Sequence, residues 1–339
     1  MTTPNERAWK ANGARGQDSP SHGGMGDPGL EPAVLARELT KSYGPRLAVD
    51  GIDFEVPAAI CFGFLGPNGA GKTTTMKMIY GLARVGGGEL YVLGMDARRE
   101  RREIKSRIGV VSQETNLDGD LTVRENLTQQ ASYFGIDPHA ARPRVDELLD
   151  FSLLAERGDD RVQALSGGMK RRLMVARSMV NEPELIVLDE PTTGLDPQAR
   201  LAVWRSLERL RRRGVTLLLT THYMEEASRL CDRLLIMDEG RIITEGAPAA
   251  LVREHVGREA LELELGDDCD ASELLETIAE RADGHELHDG DLTLFAQDAE
   301  ELLRSIDHNR FPTDSALVRR ATLEDVFLRL TGRSLREGE

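Results

Sequence analysis

The segment Gly66-Pro67-Asn68-Gly69-Ala70-Gly71-Lys72-Thr73 fits the spacing G-x-x-x-x-G-K-[ST] and runs on into Thr74, between an apolar run and a helical pattern. Glycines there let the backbone curl so that successive N–H groups point inward, and a helix N-terminus adds partial positive charge; together they hold phosphate oxygens. Lys72 is expected to reach the β- and γ-phosphates of a nucleotide, and the Thr73 hydroxyl to ligate Mg²⁺. The bland alternative is a glycine-rich turn that binds nothing; the coincidence of loop, lysine, hydroxyl and context disfavours it. By itself the loop does not separate a kinase from a GTPase or a motor.

Leu185-Ile186-Val187-Leu188-Asp189-Glu190 is an apolar run closed by two carboxylates, the form of a buried parallel strand that delivers acids to its carboxyl edge. Asp189 is expected to hold Mg²⁺ through water. Glu190, one residue on and differently directed, is expected to polarise the water that attacks the γ-phosphate. In Leu165-Ser166-Gly167-Gly168-Met169-Lys170-Arg171-Arg172-Leu173, Ser166 reads as an N-cap, and the two glycines leave amides open at a helix start, a second anion site. One loop already holds a triphosphate. The second site therefore makes sense facing the γ-phosphate bound by another copy, head to tail, with two ATP molecules sandwiched.

Such residues need a sheet that presents them along one edge. From Val34 onward β-rich runs (Gly51 to Val56, Ile60 to Leu65, Gly88 to Leu93) alternate with helical patterns such as Lys72 to Leu82, which points to an α/β sheet edged by antiparallel strands. Between about Thr122 and Ala176 the strands give way to helical spacing, as in Val145, Leu148, Leu149 and Leu153, a helical insertion. Strands return at Leu185 to Leu188, Thr216 to Thr220 and Arg233 to Met237, and the last meets Arg241 to Thr244 across Asp238-Glu239-Gly240. Beyond Val256 the order β-α-β-β-α-β, then a helix over Leu323 to Leu330, suggests a small ferredoxin-like module.

With 339 residues the chain can hold one full domain and a smaller one, and 40% hydrophobic with 30% charged residues is the balance of a globular protein that folds in water. Acidic residues outnumber basic ones by 58 to 43, a formal charge of -15, so attraction to nucleic-acid phosphates is not the overall design. The basic clusters Arg98 to Arg102 and Arg211 to Arg213 read as solvated helix faces. Cys61, Cys231 and Cys269 are widely spaced and suit buried free thiols in a reducing compartment. His285 and His288 lie beside acids, but no further ligands converge, so no metal site is expected there. Met1 to Pro32, rich in Gly, Pro and charge, reads as a disordered tail, and no apolar run approaches the roughly 20 residues needed to cross a bilayer.

Taken together, these motifs resemble the ATP-binding cassette family, specifically the nucleotide-binding subunit of an ABC transporter, across about Val34 to Val256. The resemblance implies a P-loop NTPase cassette over 33–256: a RecA-like parallel sheet core, an antiparallel β subdomain and a helical subdomain at about 115–180, followed by a C-terminal α+β accessory module over 257–339. It implies that Tyr43 stacks on adenine, that Gln113 contacts Mg²⁺ and water, that Gly194-Leu195-Asp196 communicates between two sites with Asp196 at the nucleotide, and that His222 senses the γ-phosphate. Met169 and Lys170 stand where glutamines are frequent, and Ser112 where proline is frequent; neither change removes a catalytic group. Asn116-Leu117-Asp118, Thr122 to Leu127 and Thr322 to Gly332 are similar to the drug- and lipooligosaccharide-type exporters, including the daunorubicin- and nodulation-type ATPases.

That subclass implies an ATP-hydrolysing homodimer on the cytoplasmic face of the membrane. It would drive a separate ABC-2 type integral membrane permease, whose short cytoplasmic helix rests near the Gln113 loop and Thr122 to Ala131. A rival reading is a soluble, non-transport cassette ATPase acting on ribosomes or nucleic acid. One cassette, no long coiled-coil insertion and no basic patch disfavour it. The cargo (drug, lipid-linked sugar or polyketide) stays open, as does the role of the C-terminal module.

Overall fold

The computed structural model describes residues 31–266, 269, 271–278, 281–288, 291–306 and 310–332. The tail expected over 1–32 falls, for residues 1–30, outside the described residues.

The described chain opens with a hairpin of long strands, β1 (Val34–Tyr43) and β2 (Arg46–Val56), and continues through β3 (Cys61–Leu65), α1 (Lys72–Ile79), β4 (Gly87–Val92), β5 (Met95–Asp96), α2 (Arg101–Arg107) and β6 (Ile108–Val111). Three helices follow, α3 (Val123–Tyr133), α4 (Pro138–Phe151) and α5 (Gly167–Ser178). Then β7 (Leu185–Asp189), α6 (Pro197–Arg212), β8 (Thr216–Thr221), α7 (Met224–Leu230), β9 (Arg233–Asp238), β10 (Arg241–Gly246) and α8 (Pro248–His255) complete the cassette.

Two sheets result. One is antiparallel, in the order β2-β1-β4-β5. The other runs β10-β9-β3-β8-β7-β6, parallel throughout except for the β9–β10 hairpin. Every residue of β3, β7 and β8 is buried, as expected of strands covered on both faces, and this explains their apolar runs, which end in polar residues on β7 and β8. Their carboxyl ends release Gly66, Glu190 and His222 along one edge of the sheet, where open α/β sheets bind ligands.

Several elements differ from expectation in extent. α1 ends at Ile79 instead of Leu82, because Gly81 adopts a left-handed conformation with φ 71°. The hairpin turn narrows to Glu239-Gly240, since Arg241 pairs directly with Asp238, and both turn residues have positive φ, 49° and 81°. α2 and β6 were not expected. β6 has four residues and is a strand because it lies in register against β7, Ile108 opposite Leu185.

Past α8 come β11 (Glu259–Leu265), α9 (Ala271–Ile278), β12 (Gly284–His288), β13 (Asp291–Ala296), α10 (Ala299–Ser305), β14 (Thr313–Arg320) and α11 (Leu323–Thr331). The four strands form an antiparallel sheet in the order β12-β13-β11-β14, and Leu261, Leu263, Leu292 and Leu294 pack there against Leu274, Ile278 and Leu302 of α9 and α10. α11 does not join that core. Leu323, Val326 and Phe327 bury themselves with Phe295 and Ala260 in the same hydrophobic cluster as Leu230, Leu251 and Trp204 of the cassette. No helix among the described residues is long and apolar enough to cross a membrane.

Candidate nucleotide site

The phosphate loop joins β3 to α1 and is gripped by its neighbours. Gly240 N–H, in the β9–β10 turn, donates to the Ala70 carbonyl at 3.1 Å, and the Gly240 carbonyl accepts from Asp50 N–H at 2.9 Å. A Cβ on Gly66 would sit 2.2 Å from the Met237 carbonyl oxygen, and one on Gly71 would sit 2.5 Å from that of Ala48. Gly71 also has φ 104°, which L side chains avoid. These two glycines are therefore required by the strands pressed against the loop as well as by any phosphate inside it. Ala70 is buried, Pro67 and Thr74 half-buried, and Asn68 and Gly69 exposed at the loop's crown, beside the Arg46 guanidinium.

Lys72 opens α1 and is buried; its Nζ donates to the Gly66 and Pro67 carbonyls at 2.6 and 2.9 Å. Burial lowers the ammonium's pKa, and Glu190 and Asp189 oppose that shift. Thr73 Oγ1 donates to Asp189 Oδ1 at 3.1 Å, and Thr220 Oγ1 donates to the same oxygen at 2.6 Å. The next residue, Glu190, is 8% exposed with φ 46°, and its N–H is held by Thr220. That turn separates the two acids: Asp189 faces Thr73, while Glu190 Oε2 accepts from Gln113 Nε2 at 3.3 Å and Thr193 Oγ1 at 3.1 Å.

His222 Nδ1 comes to 3.4 Å from Glu190 Oε1 but is not aligned for a hydrogen bond, and it is buried with no other partner. The His222 ring is the largest influence that holds the Glu190 carboxyl below its ordinary range; it overcomes burial, with Lys72 and Thr193 acting in the same direction. Tyr80 is pushed up to about 12 by burial, then by Asp189 and Tyr43. Tyr43 itself ends β1 at 50% exposure, with the Lys41 ammonium 5.1 Å from its ring centre, an open aromatic face of the kind a base can stack on.

Ser166 caps α5, its side chain accepting from Met169 N–H at 3.3 Å. The two glycines that follow differ. A Cβ on Gly167 would meet nothing closer than 3.9 Å, whereas one on Gly168 would lie 2.5 Å from Ala199 Cβ of α6, so Gly168 serves the packing of two helices. Among the described residues no hydrogen bond joins Ser166, Gly167 or Gly168 to the phosphate loop of the same chain. Asp196 is exposed and caps α6, its Oδ1 accepting from Ala199 N–H at 2.9 Å.

Arg171 was quoted with the Ser166 motif but given no role. At 7% exposure it donates to the carbonyls of Pro191 (2.6 Å), Ser112 (2.6 Å), Asp189 (3.0 Å) and Glu190 (2.8 Å), binding α5 to both acid-bearing and glutamine-bearing loops. Burial lowers its guanidinium to about 10, against the pull of Glu226, Asp189 and Glu190, so it stays charged at neutral pH. Thr220, Thr193 and Glu226 were likewise unassigned. Glu226 Oε1 accepts from Thr192 Oγ1 at 2.8 Å and Trp204 Nε1 at 2.9 Å.

This donor set fits a nucleotide with Mg²⁺. Among the described residues no group of three or more His, Cys, Asp or Glu could hold a metal alone. Thr73 and Asp189 instead offer two hard oxygens on one side, the arrangement for a cation that keeps water and phosphate as its other ligands. Cys61 and Cys231 are buried free thiols, and Cys269 is half-buried.

A family model described as ABC transporter matches residues 49–193, and one described as Nodulation factor export protein NodI, C-terminal domain, matches residues 272–332. A Nod factor export ATP-binding protein I from Burkholderia orbicola is 47% identical over 301 residues, 89% of this chain and 97% of the relative. That of Mesorhizobium japonicum is 45% identical over 305 residues, 90% of this chain and 88% of the relative. Among solved structures, cbiO1 from Clostridium perfringens, part of the ABC transporter complex cbiONQ, superposes with a TM-score of 0.60 at 27% identity, covering 64% of this chain and 89% of that one. A dimeric cassette in a post-hydrolysis state bound to ADP and Pi gives 0.58 at 26%, covering 63% and 98%. The chain belongs to the ABC transporter ATP-binding proteins, a family of ATPases, in the branch that carries a NodI-type C-terminal domain.

Proposed function

We propose that two copies of this chain close head to tail around two MgATP, each lending the amides at Ser166, Gly167 and Gly168 to the γ-phosphate held by the other's phosphate loop, and that this closure drives a separate ABC-2 type permease in export. The observation that carries it is the pair of glycine-flanked helix starts at Lys72 and Gly167, which share no hydrogen bond within one chain. A head-to-tail partner gives the second one a purpose. The dimeric cassette bound to ADP and Pi and the export role in the relatives' names support the same reading. The relatives are named for Nod factor export; the cargo proposed for this chain is a drug, lipid-linked sugar or similar amphiphile, and the chain works peripherally on the cytoplasmic face. The ribosome- or DNA-directed alternative has no specific observation in its favour.

Each site residue then has a task. Tyr43 stacks on adenine, the loop from Gly66 to Thr74 wraps the phosphates, and Lys72 leaves its two carbonyl partners for phosphate oxygens. Thr73, Asp189 and Gln113 would hold Mg²⁺, which would supply neutralisation of charge on the transferred group. Glu190 accepts a hydrogen bond from water and takes its proton as the oxygen attacks the γ-phosphorus and the bond to the β-phosphate oxygen breaks. His222, Lys72 and Thr193 hold that carboxyl below its ordinary range, so it is ionised and able to accept at neutral pH. His222 Nδ1, buried without a hydrogen bond, is free to donate to the γ-phosphate or to Glu190. Asp196, exposed at the start of α6, would contribute to the nucleotide site shared with the partner.

Glu190→Gln keeps the hydrogen-bonding shape and removes the proton acceptor. It is expected to bind MgATP with unchanged affinity, to lower turnover by about 10²- to 10⁴-fold, and to run as a dimer on size exclusion in MgATP. A variant that stayed monomeric there would overturn the sandwich.

A further inference from the structure

Away from the nucleotide site, a cleft of about 600 Å³ opens where α7 and α8 meet the C-terminal module. Three arginines line it from separate parts of the chain: Arg253 from the last turn of α8, Arg258 just before β11, and Arg320 at the end of β14. Pairing between β11 and β14 brings their backbones close, with Glu259 opposite Arg320 and Ala321 N–H donating to the Arg258 carbonyl at 3.1 Å. None of the three side chains has an ion pair or hydrogen bond with a described residue. The contrast is with Arg319, one residue away, which is held by both Glu262 and Asp325.

The carboxylate lining the cleft, Glu259, is already engaged, its Oε2 accepting from Ala299 N–H at 2.8 Å at the start of α10. In a chain of formal charge -15, with acids in excess, three arginines against the single carboxylate of Glu259 give this cleft a net positive lining. Guanidinium forks match tetrahedral oxyanions, and a cleft of this size accommodates a phosphate together with an organic stem. Ser228 of α7 and Thr322 also line the cleft, the Thr322 hydroxyl donating to Asp325 in the cap of α11.

We propose that this cleft is a second ligand site, distinct from the nucleotide site, for a phosphate group carried on a small organic molecule or on a lipid headgroup. The ligand bridges the cassette helices α7 and α8 to the C-terminal module. The site is independent of whether two copies sandwich ATP.

The test uses the full chain with two probes, glycerol 3-phosphate by calorimetry and phosphatidylcholine vesicles containing phosphatidic acid by flotation. Each is measured on the wild type, on Lys72→Ala and on the triple variant Arg253→Ala, Arg258→Ala, Arg320→Ala. The expected result is saturable binding that survives Lys72→Ala and weakens at least about tenfold in the triple variant, whose exposed substitutions leave the circular dichroism unchanged. Binding of glycerol 3-phosphate supports a soluble ligand, and binding of the vesicles alone supports a lipid headgroup. No binding of either probe by the wild type, binding unchanged in the triple variant, or binding abolished by Lys72→Ala would each overturn the proposal.

Discussion

Nothing in the spacing of Tyr223-Met224-Glu225-Glu226 marks which glutamate is buried, yet Glu226 is 1% exposed and joins the helix after His222 to the segment after Glu190 through Thr192. Burial pushes its carboxyl above the ordinary 4.5, against hydrogen bonds from Thr221, Trp204 and Thr192 that lower it. The folded state thus binds this proton more tightly than the unfolded state. The group's contribution to stability is greatest below pH 4.5 and falls as pH rises toward the folded value. Glu226→Gln removes the titration while keeping the acceptor for Thr192 and Trp204. Its stability relative to wild type, from urea denaturation, should improve between about pH 4.5 and pH 7; a difference flat with pH would refute this. Lys72, Thr73, Asp189 and Glu190 could be read from the sequence because each lies in a local pattern next to a strand or helix end. Glu226, Arg171 and Thr220 could not, because the partners described above lie 18 to 59 residues away and only the fold brings them close.

The start of α5 shows how one short motif serves two ends. Ser166 as its cap was legible from residue type; that Gly168 abuts Ala199 was not, because the crossing of α5 and α6 is a tertiary fact. The two demands can be separated. Ser166→Arg should cost about 1 kcal/mol of cap energy, leave nucleotide binding by a single chain intact and abolish turnover. Gly168→Val should lower stability by about 1–3 kcal/mol through the clash with α6. Denaturation curves and ATPase rates on both variants check the pair, and full turnover in Ser166→Arg would remove the case for a site in trans. β6 makes the complementary point: four residues carry too little periodicity to announce a strand, and their identity comes from β7.

For the molecule as a whole, the order of elements in the C-terminal module was legible, but its attachment was not. A boundary near residue 256 marks a change of sheet and no break in packing, because Leu323, Val326 and Phe327 complete a cluster that includes Trp204. Deleting the module would therefore unseal the cassette as well as remove whatever the module binds. Phe327→Ala should destabilise the chain by about 3–5 kcal/mol, and in a Trp9→Phe background the fluorescence transition of Trp204 should shift with it. A Trp204 signal indifferent to Phe327 would mean the two regions unfold separately.

The reach of α11 back to the cassette also orders events in time. During synthesis the nucleotide-site strands emerge early, but the apolar surface that Phe327 covers must wait for α11, about 100 residues after the last of the site residues. Nascent chains arrested on the ribosome before residue 323 should stay open to protease in the cassette, and those arrested well beyond it should close. Early resistance would mean that the helix is applied to a finished fold. Otherwise a prematurely terminated product never matures into an ATPase.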